Sequence, residues 1–221
     1  MFFSLKKRKN IINESLLDLR KYTPSGLENV KIINAAIVIL PENPSGELME
    51  AYANVKIKNT SLTLNLPDDK KIVIFNGSSV LGSENVVPDA IHISNGITVL
   101  KYFQADTPVE IISNGIMVYG KNSKTNILSQ NGLCAEAPFE IASARIYPRD
   151  IGIDSIFIEN LPDNTVVTAG HNIVIYNDVS LQLLKSKNIY FTAGKLIKCD
   201  YSILGYIQTV ATAGDKIQVN E

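Results

Sequence analysis

The chain has 221 residues, of which 45% are hydrophobic and 19% charged, which excludes a disordered chain and is enough for one domain or two small ones. Trp is absent and the core must be mainly aliphatic, with many β-branched residues that favour strands. The net charge of −1 argues against a chain built mainly to bind nucleic acid. The two cysteines, Cys134 and Cys199, lie too far apart for a metal motif, and we expect two buried thiols in a reducing compartment.

The first nine residues, MFFSLKKRK, join apolar side chains to four consecutive cations. Aromatic rings enter a membrane interface, and each nearby cation adds about 1 kcal/mol of attraction to an anionic surface. A solvated terminus without a role is the alternative. The apolar residues precede the basic ones, which is the reverse of the order in a secretory signal, so we expect a cytoplasmic protein. A peripheral contact with the membrane through this segment is a hypothesis. The candidate contact residues are Phe2, Phe3, Lys6, Lys7, Arg8 and Lys9.

A short helix is predicted next, over Asn13–Tyr22. Asn13 suits its N-terminal cap, Leu16 and Leu19 lie on one stripe, and Pro24 ends it. The chain is therefore divided into a basic tail and helix, residues 1–29, and a β-repeat domain, residues 30–221.

Within residues 30–221 one short sequence motif recurs. HISNGITVL at His92–Leu100 and IISNGIMVY at Ile111–Tyr119 place two Asn-Gly pairs 19 residues apart, and apolar residues recur two and four positions before each Asn. Most gaps between successive copies are 16 to 20 residues. The anchor positions of the copies are Asn34, Asn59, Asn76, Asn95, Asn114, Asn131, Asn160, Asn177, Ala193 and Ala213.

A strand and a bend repeated at a near-constant period predict an all-β fold, a parallel β-helix (β-solenoid) of about ten coils. Successive strands would stack about 4.8 Å apart, and the Asn amides would hydrogen-bond as a ladder along the stack. The alternative is an antiparallel sandwich or meander, since Asn-Gly between apolar strands is also a strong hairpin signal. The constant period favours the solenoid, because hairpins do not require it.

Residues that suggest chemistry are few, and we expect no cofactor and no metal. His92 and His171 are predicted to be exposed and inert, and the LPDD and LPDN segments at Leu66–Asp69 and Leu161–Asn164 to be bends. One polar cluster interrupts the repeat and is predicted to form a loop that binds or processes a sugar, or a solvated loop without a role. Its residues are Arg145, Tyr147, Arg149, Asp150 and Asp154.

The apolar-basic start followed by an all-β repeat of about 17–20 residues resembles the bactofilins, a family of bacterial cytoskeletal proteins. The resemblance implies a right-handed β-helix that polymerises end to end without nucleotide, and a membrane-targeting N-terminus. The repeat region here is longer and less regular than the usual core of that family. We therefore expect a non-enzymatic scaffold that self-associates, with a carbohydrate-binding or carbohydrate-processing β-helix as the alternative. The last copy, ATAGDKIQV, ends close to Glu221, which favours a homodimer through the C-terminal coil.

Overall fold

The structure is a computed structural model that describes residues 11–101 and 108–220. The chain divides into two compact units, Met1–Lys70 and Lys71–Glu221. Strands make up 51% of the structure and helices 17%, so the fold is mostly β rather than all-β. The strand pairs of the described residues are all parallel, so the antiparallel sandwich or meander is wrong.

The first unit is built on one parallel sheet of four strands. Its second strand is central and pairs with the other three. Side chains from the strands and from two short helices form the core, with Leu19, Ile33 and Val38 fully buried. The elements are β1 (Ile11–Asp18), a 3-10 turn (Leu19–Lys21), α1 (Pro24–Leu27), β2 (Ile32–Pro41), α2 (Gly46–Ala53), β3 (Lys56–Lys58) and β4 (Leu62–Leu66).

The predicted helix over Asn13–Tyr22 is wrong. Residues Ile11–Asp18 form β1, which pairs with β2 in parallel, so the division at residue 29 falls between two paired strands. Asn13 does not cap a helix, because its Oδ1 accepts a hydrogen bond from Asn34 Nδ2 at 2.9 Å. Pairing with an adjacent strand outweighs the modest helix propensity of this segment.

The bend predicted at Leu66–Asp69 is confirmed, and a buried arginine holds it in place. The guanidinium of Arg20 donates to the carbonyl oxygens of Pro67 and Lys70, the latter at 3.0 Å. It also donates through two nitrogens to the carboxylate of Asp18, at 2.9 and 2.8 Å. Burial alone would raise the pKa of Asp18, but the hydrogen bonds and charge of Arg20 lower it overall.

The second unit begins with a parallel sheet whose four strands follow one another in chain order. Neighbouring strands pair in register, with one register shift between Ile111 and Ile112. The strands are β5 (Lys71–Leu81), β6 (Ala90–Leu100), β7 (Val109–Gly120) and β8 (Thr125–Ala137).

The four Asn-Gly pairs lie opposite one another in this sheet, as the repeat predicted. Their Asn side chains form a ladder in which each Nδ2 donates to the Oδ1 of the preceding copy, at 3.1, 2.8 and 3.0 Å. The glycines have positive φ, for example 145° at Gly115, a conformation that L side chains rarely adopt. A Cβ at Gly115 would also meet the carbonyl of Gly96, so the stacked backbones leave no room for a side chain.

The remainder of the second unit alternates short strands with short helices and forms two further parallel sheets. Their orders are β9-β11-β13-β15 and β10-β12-β14-β16. The elements are β9 (Ser143–Tyr147), β10 (Ile151–Ile153), α3 (Ser155–Glu159), β11 (Thr165–Ala169), β12 (Ile173–Ile175), α4 (Leu181–Lys187), β13 (Tyr190–Ala193), β14 (Leu196–Cys199), α5 (Tyr201–Ile207), β15 (Ala211–Ala213) and β16 (Lys216–Val219).

The two parts of the second unit share a core. One face of the β9-β11-β13-β15 sheet carries Val166 and Tyr190, which pack with Ile97 and Ile116 of the first sheet. Its other face packs with the β10-β12-β14-β16 sheet and the three helices around the fully buried Phe191. The anchor assigned at Asn160 is not a strand corner, because Ile156 and Ile158 belong to α3 and Asn160 caps its C-terminus.

Candidate functional site

The residues of the predicted ligand loop lie in β9, in the bend that follows it and at the N-terminus of α3. Arg145 and Tyr147 lie within β9 rather than on a loop, and Arg145 is exposed. Tyr147 is half-buried and packs on Phe157, with ring centroids 6.3 Å apart. Arg149 is exposed in the bend that follows β9.

The two carboxylates of that cluster serve the fold. Asp150 Oδ1 accepts from the backbone N and the Nδ2 of Asn172, at 3.0 and 2.7 Å. Asp154 Oδ1 accepts from the backbone N of Phe157 at 2.7 Å and so caps α3. These hydrogen bonds tie both carboxylates into the fold. Among residues 11–101 and 108–220, no group of three or more His, Cys, Asp or Glu is placed to hold a metal ion.

His92 is buried, so its predicted exposure is wrong. Its side chain is 1% exposed and stacks on Phe75 at 6.0 Å between ring centroids. Nε2 accepts from the backbone N of Val87 at 3.1 Å, and Nδ1 lies 3.3 Å from the carbonyl oxygen of Glu110. These contacts fit the neutral ring with its proton on Nδ1, and burial lowers the pKa of His92. His171, by contrast, is exposed in a bend, as predicted.

The two thiols are free, and neither is activated. Cys199 is buried, and Cys134 is half-buried against the core of the β5–β8 sheet. Burial raises the pKa of both thiols, and the charge of Asp200 adds to the effect at Cys199. Both therefore stay protonated at neutral pH, which suits packing rather than nucleophilic chemistry.

A groove of about 520 Å³ lies on the β10-β12-β14-β16 sheet. Ile173 and Ile175 of β12 point into the core, so the alternate residues Val174 and Tyr176 face away from it. In register, Val174 lies beside Lys198 of β14. The groove is lined by Val174, Tyr176, Asn177, Lys198 and Asn220.

Two amides and one ring are held in place within this groove. Asn220 Nδ2 donates to the carbonyl oxygen of Ile175 at 3.0 Å and to Asn177 Oδ1 at 3.3 Å. The ring of Tyr176 lies over Gly152, where an added Cβ would come within 2.8 Å of the Tyr176 Cζ. The lining therefore combines an aromatic ring, oriented amides and one ammonium group.

No family model, curated protein or solved structure matches the chain.

The groove was not predicted, although the sequence carries a signal for it. The TAG copies at Thr168, Thr192 and Thr212 pair in register. Six residues after each Thr come Val174, Lys198 and Gln218, and eight residues after each come Tyr176, Asp200 and Asn220. An alignment of these copies on their Thr residues is therefore enough to place Val174 beside Lys198.

Two short strands end the sheets of the second unit. β15 pairs with β13 and β16 with β14, and within the described residues no strand pairs with the opposite edge of either. Asn220 donates its backbone N–H to Cys199, so by alternation the N–H groups of Ile217 and Val219 face away from β14. Val219 is 37% exposed. An edge of this kind is able to pair with another chain.

The candidate membrane residues Phe2, Phe3, Lys6, Lys7, Arg8 and Lys9 lie outside the described residues. Across residues 11–101 and 108–220, no helix has the length and apolar character that a membrane span requires.

Proposed function

We propose that the protein is a non-enzymatic structural or scaffolding protein whose units are β-solenoids and which associates with itself. The observation that carries the proposal is the outer edge of β15 and β16, with which no strand of the described residues pairs. Parallel pairing in chain order supports the solenoid, and so do the Asn ladders, which continue from copy to copy in both units.

A scaffold also agrees with the use of the polar residues. Asp150 and Asp154 accept hydrogen bonds that hold neighbouring segments together, and His92 accepts one from the loop before β6. These three acid-base groups are thus engaged in hydrogen bonds within the fold. The resemblance to the bactofilins points in the same direction.

The association we favour is a two-fold homodimer through the outer edge of the last coil. A two-fold axis brings an edge strand against its own copy in antiparallel orientation, which satisfies the outward backbone groups of both chains. The outward N–H groups of Ile217 and Val219 would be donors in this interface. End-to-end stacking, as in the bactofilins, would instead give filaments.

Replacing Ile217 by Pro tests this interface, because it removes an outward donor without removing a β14–β16 hydrogen bond. Sedimentation velocity at tens of micromolar should give a dimer for the wild type and a monomer for Ile217→Pro. Val219→Pro provides a second edge variant if Ile217→Pro loses its circular dichroism signal. Tyr201→Pro is the matched control, since it adds Pro at the first position of α5, where Pro is tolerated, and should remain dimeric. A monomeric wild type, filaments, or a dimer indifferent to both edge variants would contradict the proposed interface.

We further propose that the N-terminal segment brings this scaffold to an anionic membrane surface. Phe2 and Phe3 would enter the interface, while the four consecutive cations Lys6–Lys9 would be attracted to the headgroups. Such a contact would be peripheral and sensitive to salt.

A further inference from the structure

We propose that the groove lined by Val174, Tyr176, Asn177, Lys198 and Asn220 binds an acidic saccharide, that is, a short oligosaccharide that carries carboxylates. Its volume of about 520 Å³ lies within the range typical of small-molecule sites. The lining comes from β12, from β14 and from the residues that follow β12 and β16, so the groove crosses the strand direction and suits an extended ligand. The inference does not rest on the proposed self-association, which uses strand edges rather than this sheet face.

Tyr176 provides a surface for stacking. Its side chain is 50% exposed, and its ring rests on Gly152, the one position of β10 on this face that carries no side chain. The hydroxyl end of the ring therefore lies over backbone, and the exposed remainder of the ring is left for a ligand. A rigid, amphipathic aromatic ring of this kind packs on the apolar C–H face of a sugar while its hydroxyl stays in water.

The amides supply hydrogen bonds of both kinds. Asn220 uses Nδ2 toward Ile175 and Asn177, and Asn177 uses Oδ1 toward Asn220. Asn220 Oδ1 thus remains as an acceptor and Asn177 Nδ2 as a donor. A sugar hydroxyl both donates and accepts, so it matches such a pair, whereas an apolar ligand would leave both groups unpaired.

Lys198 selects the acidic form of the ligand. It is half-buried on β14 and forms no ion pair with any residue that the structure describes, and none of the described residues that line the groove carries a carboxylate. Asp200 shares its strand face, but its Oδ1 accepts from the backbone N and Oγ of Ser202, at 2.8 and 2.6 Å, and caps α5. The ammonium is therefore available to a ligand carboxylate.

A nucleic acid fits the same groove less well. Binding a phosphodiester chain depends on several cations along its path, and Lys198 is the single cation among the described residues of the lining. A single ammonium beside an aromatic ring and two amides matches one carboxylate per sugar better than a continuous polyanion.

The test is a titration of the full-length, isotope-labelled protein with tetragalacturonic acid, followed by backbone amide NMR, with maltotetraose as the neutral probe of equal length. We expect shifts concentrated at residues 174–177, 198 and 220, and at least tenfold weaker binding of maltotetraose. Tyr176→Ala should weaken tetragalacturonic acid binding at least tenfold. Lys198→Gln should bring the two probes to similar affinity.

Lys195→Gln is the matched control, because Lys195 is an exposed lysine in the turn just before β14 and outside the groove lining. It should bind both probes as the wild type does. The proposal is overturned if tetragalacturonic acid causes no shifts at millimolar concentration, if the shifts lie elsewhere, if both probes bind equally to the wild type, or if Lys195→Gln weakens binding as much as Lys198→Gln. Sedimentation of the same samples reports self-association separately.

Discussion

Gly115→Ala should destabilise the second unit strongly, because the Asn-Gly corner combines an unusual backbone with a tight stack. The φ of Gly115 is 145°, and an added Cβ would lie 2.9 Å from the carbonyl carbon of Gly96 and 3.1 Å from its nitrogen. Holding a non-glycine residue in such a conformation costs about 1–3 kcal/mol. Forcing the two backbones apart costs about 1–3 kcal/mol more. The free energy of unfolding should therefore fall by about 2–6 kcal/mol.

Scanning calorimetry and urea unfolding of wild type and variant measure this loss. At about 2–4 °C per kcal/mol for a unit of this size, a loss of about 4 kcal/mol lowers the melting temperature by about 8–16 °C. Gly205→Ala is the matched control: it lies in α5 with nothing within 4 Å of its Cβ position, and should stabilise the protein by about 0.5–1 kcal/mol. Equal melting temperatures for Gly115→Ala and the wild type would refute the stacking argument.

Two further perturbations test a buried group and the N-terminal segment. Burial lowers the pKa of His92 below 6.5, so the folded state binds fewer protons than the unfolded state. Stability contributed by the neutral ring is complete above pH 6.5 and is lost as the pH falls from 6.5 through the folded pKa. Urea midpoints between pH 7.5 and 5 should therefore drop less for His92→Gln than for wild type or the exposed-histidine control His171→Gln, and parallel profiles would argue against this. Deleting residues 1–9 should abolish pelleting with anionic vesicles at low salt, and the full chain should bind neutral vesicles less than anionic ones; equal pelleting of both chains would rule out the membrane contact.

The stacked corners of the β5–β8 sheet could be predicted from the sequence, because the ladder requires Asn and the corner requires Gly at a fixed period. The Asn side chains need an identical neighbour to complete the ladder, and each stacked position needs a glycine because its φ is positive and a Cβ would meet the backbone of the preceding copy. A hairpin needs the same dipeptide only once. The period of 17 to 19 residues between Asn76 and Asn131 therefore distinguished parallel stacking from hairpins.

The helices could not be predicted from apolar spacing. α3 has five residues and α4 and α5 have seven each, too few for a period of 3.6 residues to emerge. Ile156 and Ile158 therefore read as a strand. The N-terminal caps of these helices were the better signal of where each helix begins. Asp154, Ser180 and Asp200 each accept a hydrogen bond from a backbone N–H two or three residues later.

The burial of His92 was missed for a different reason. Alternation between Ile91, His92 and Ile93 predicts one exposed face only if the strand has water on one side. Both faces of β6 are covered, so Ser94 and Thr98 are buried as well and bond to each other through their hydroxyls at 2.5 Å. A sequence with polar residues at alternate positions does not reveal that a second layer lies on them.

The groove was missed because polar residues were sought close together in sequence. Arg145, Arg149 and Asp154 are neighbours along the chain, and they lie in β9, in the bend after it and at the N-terminus of α3. In stacked parallel strands the nearest neighbours of a residue on the surface lie one period away, as Val174 and Lys198 do across 24 residues. Residues that share a surface on such a fold therefore occupy equivalent positions in successive copies of the repeat. The TAG copies show this arrangement. Val174 and Lys198 are the sixth residues after their Thr, and Tyr176 and Asn220 are the eighth.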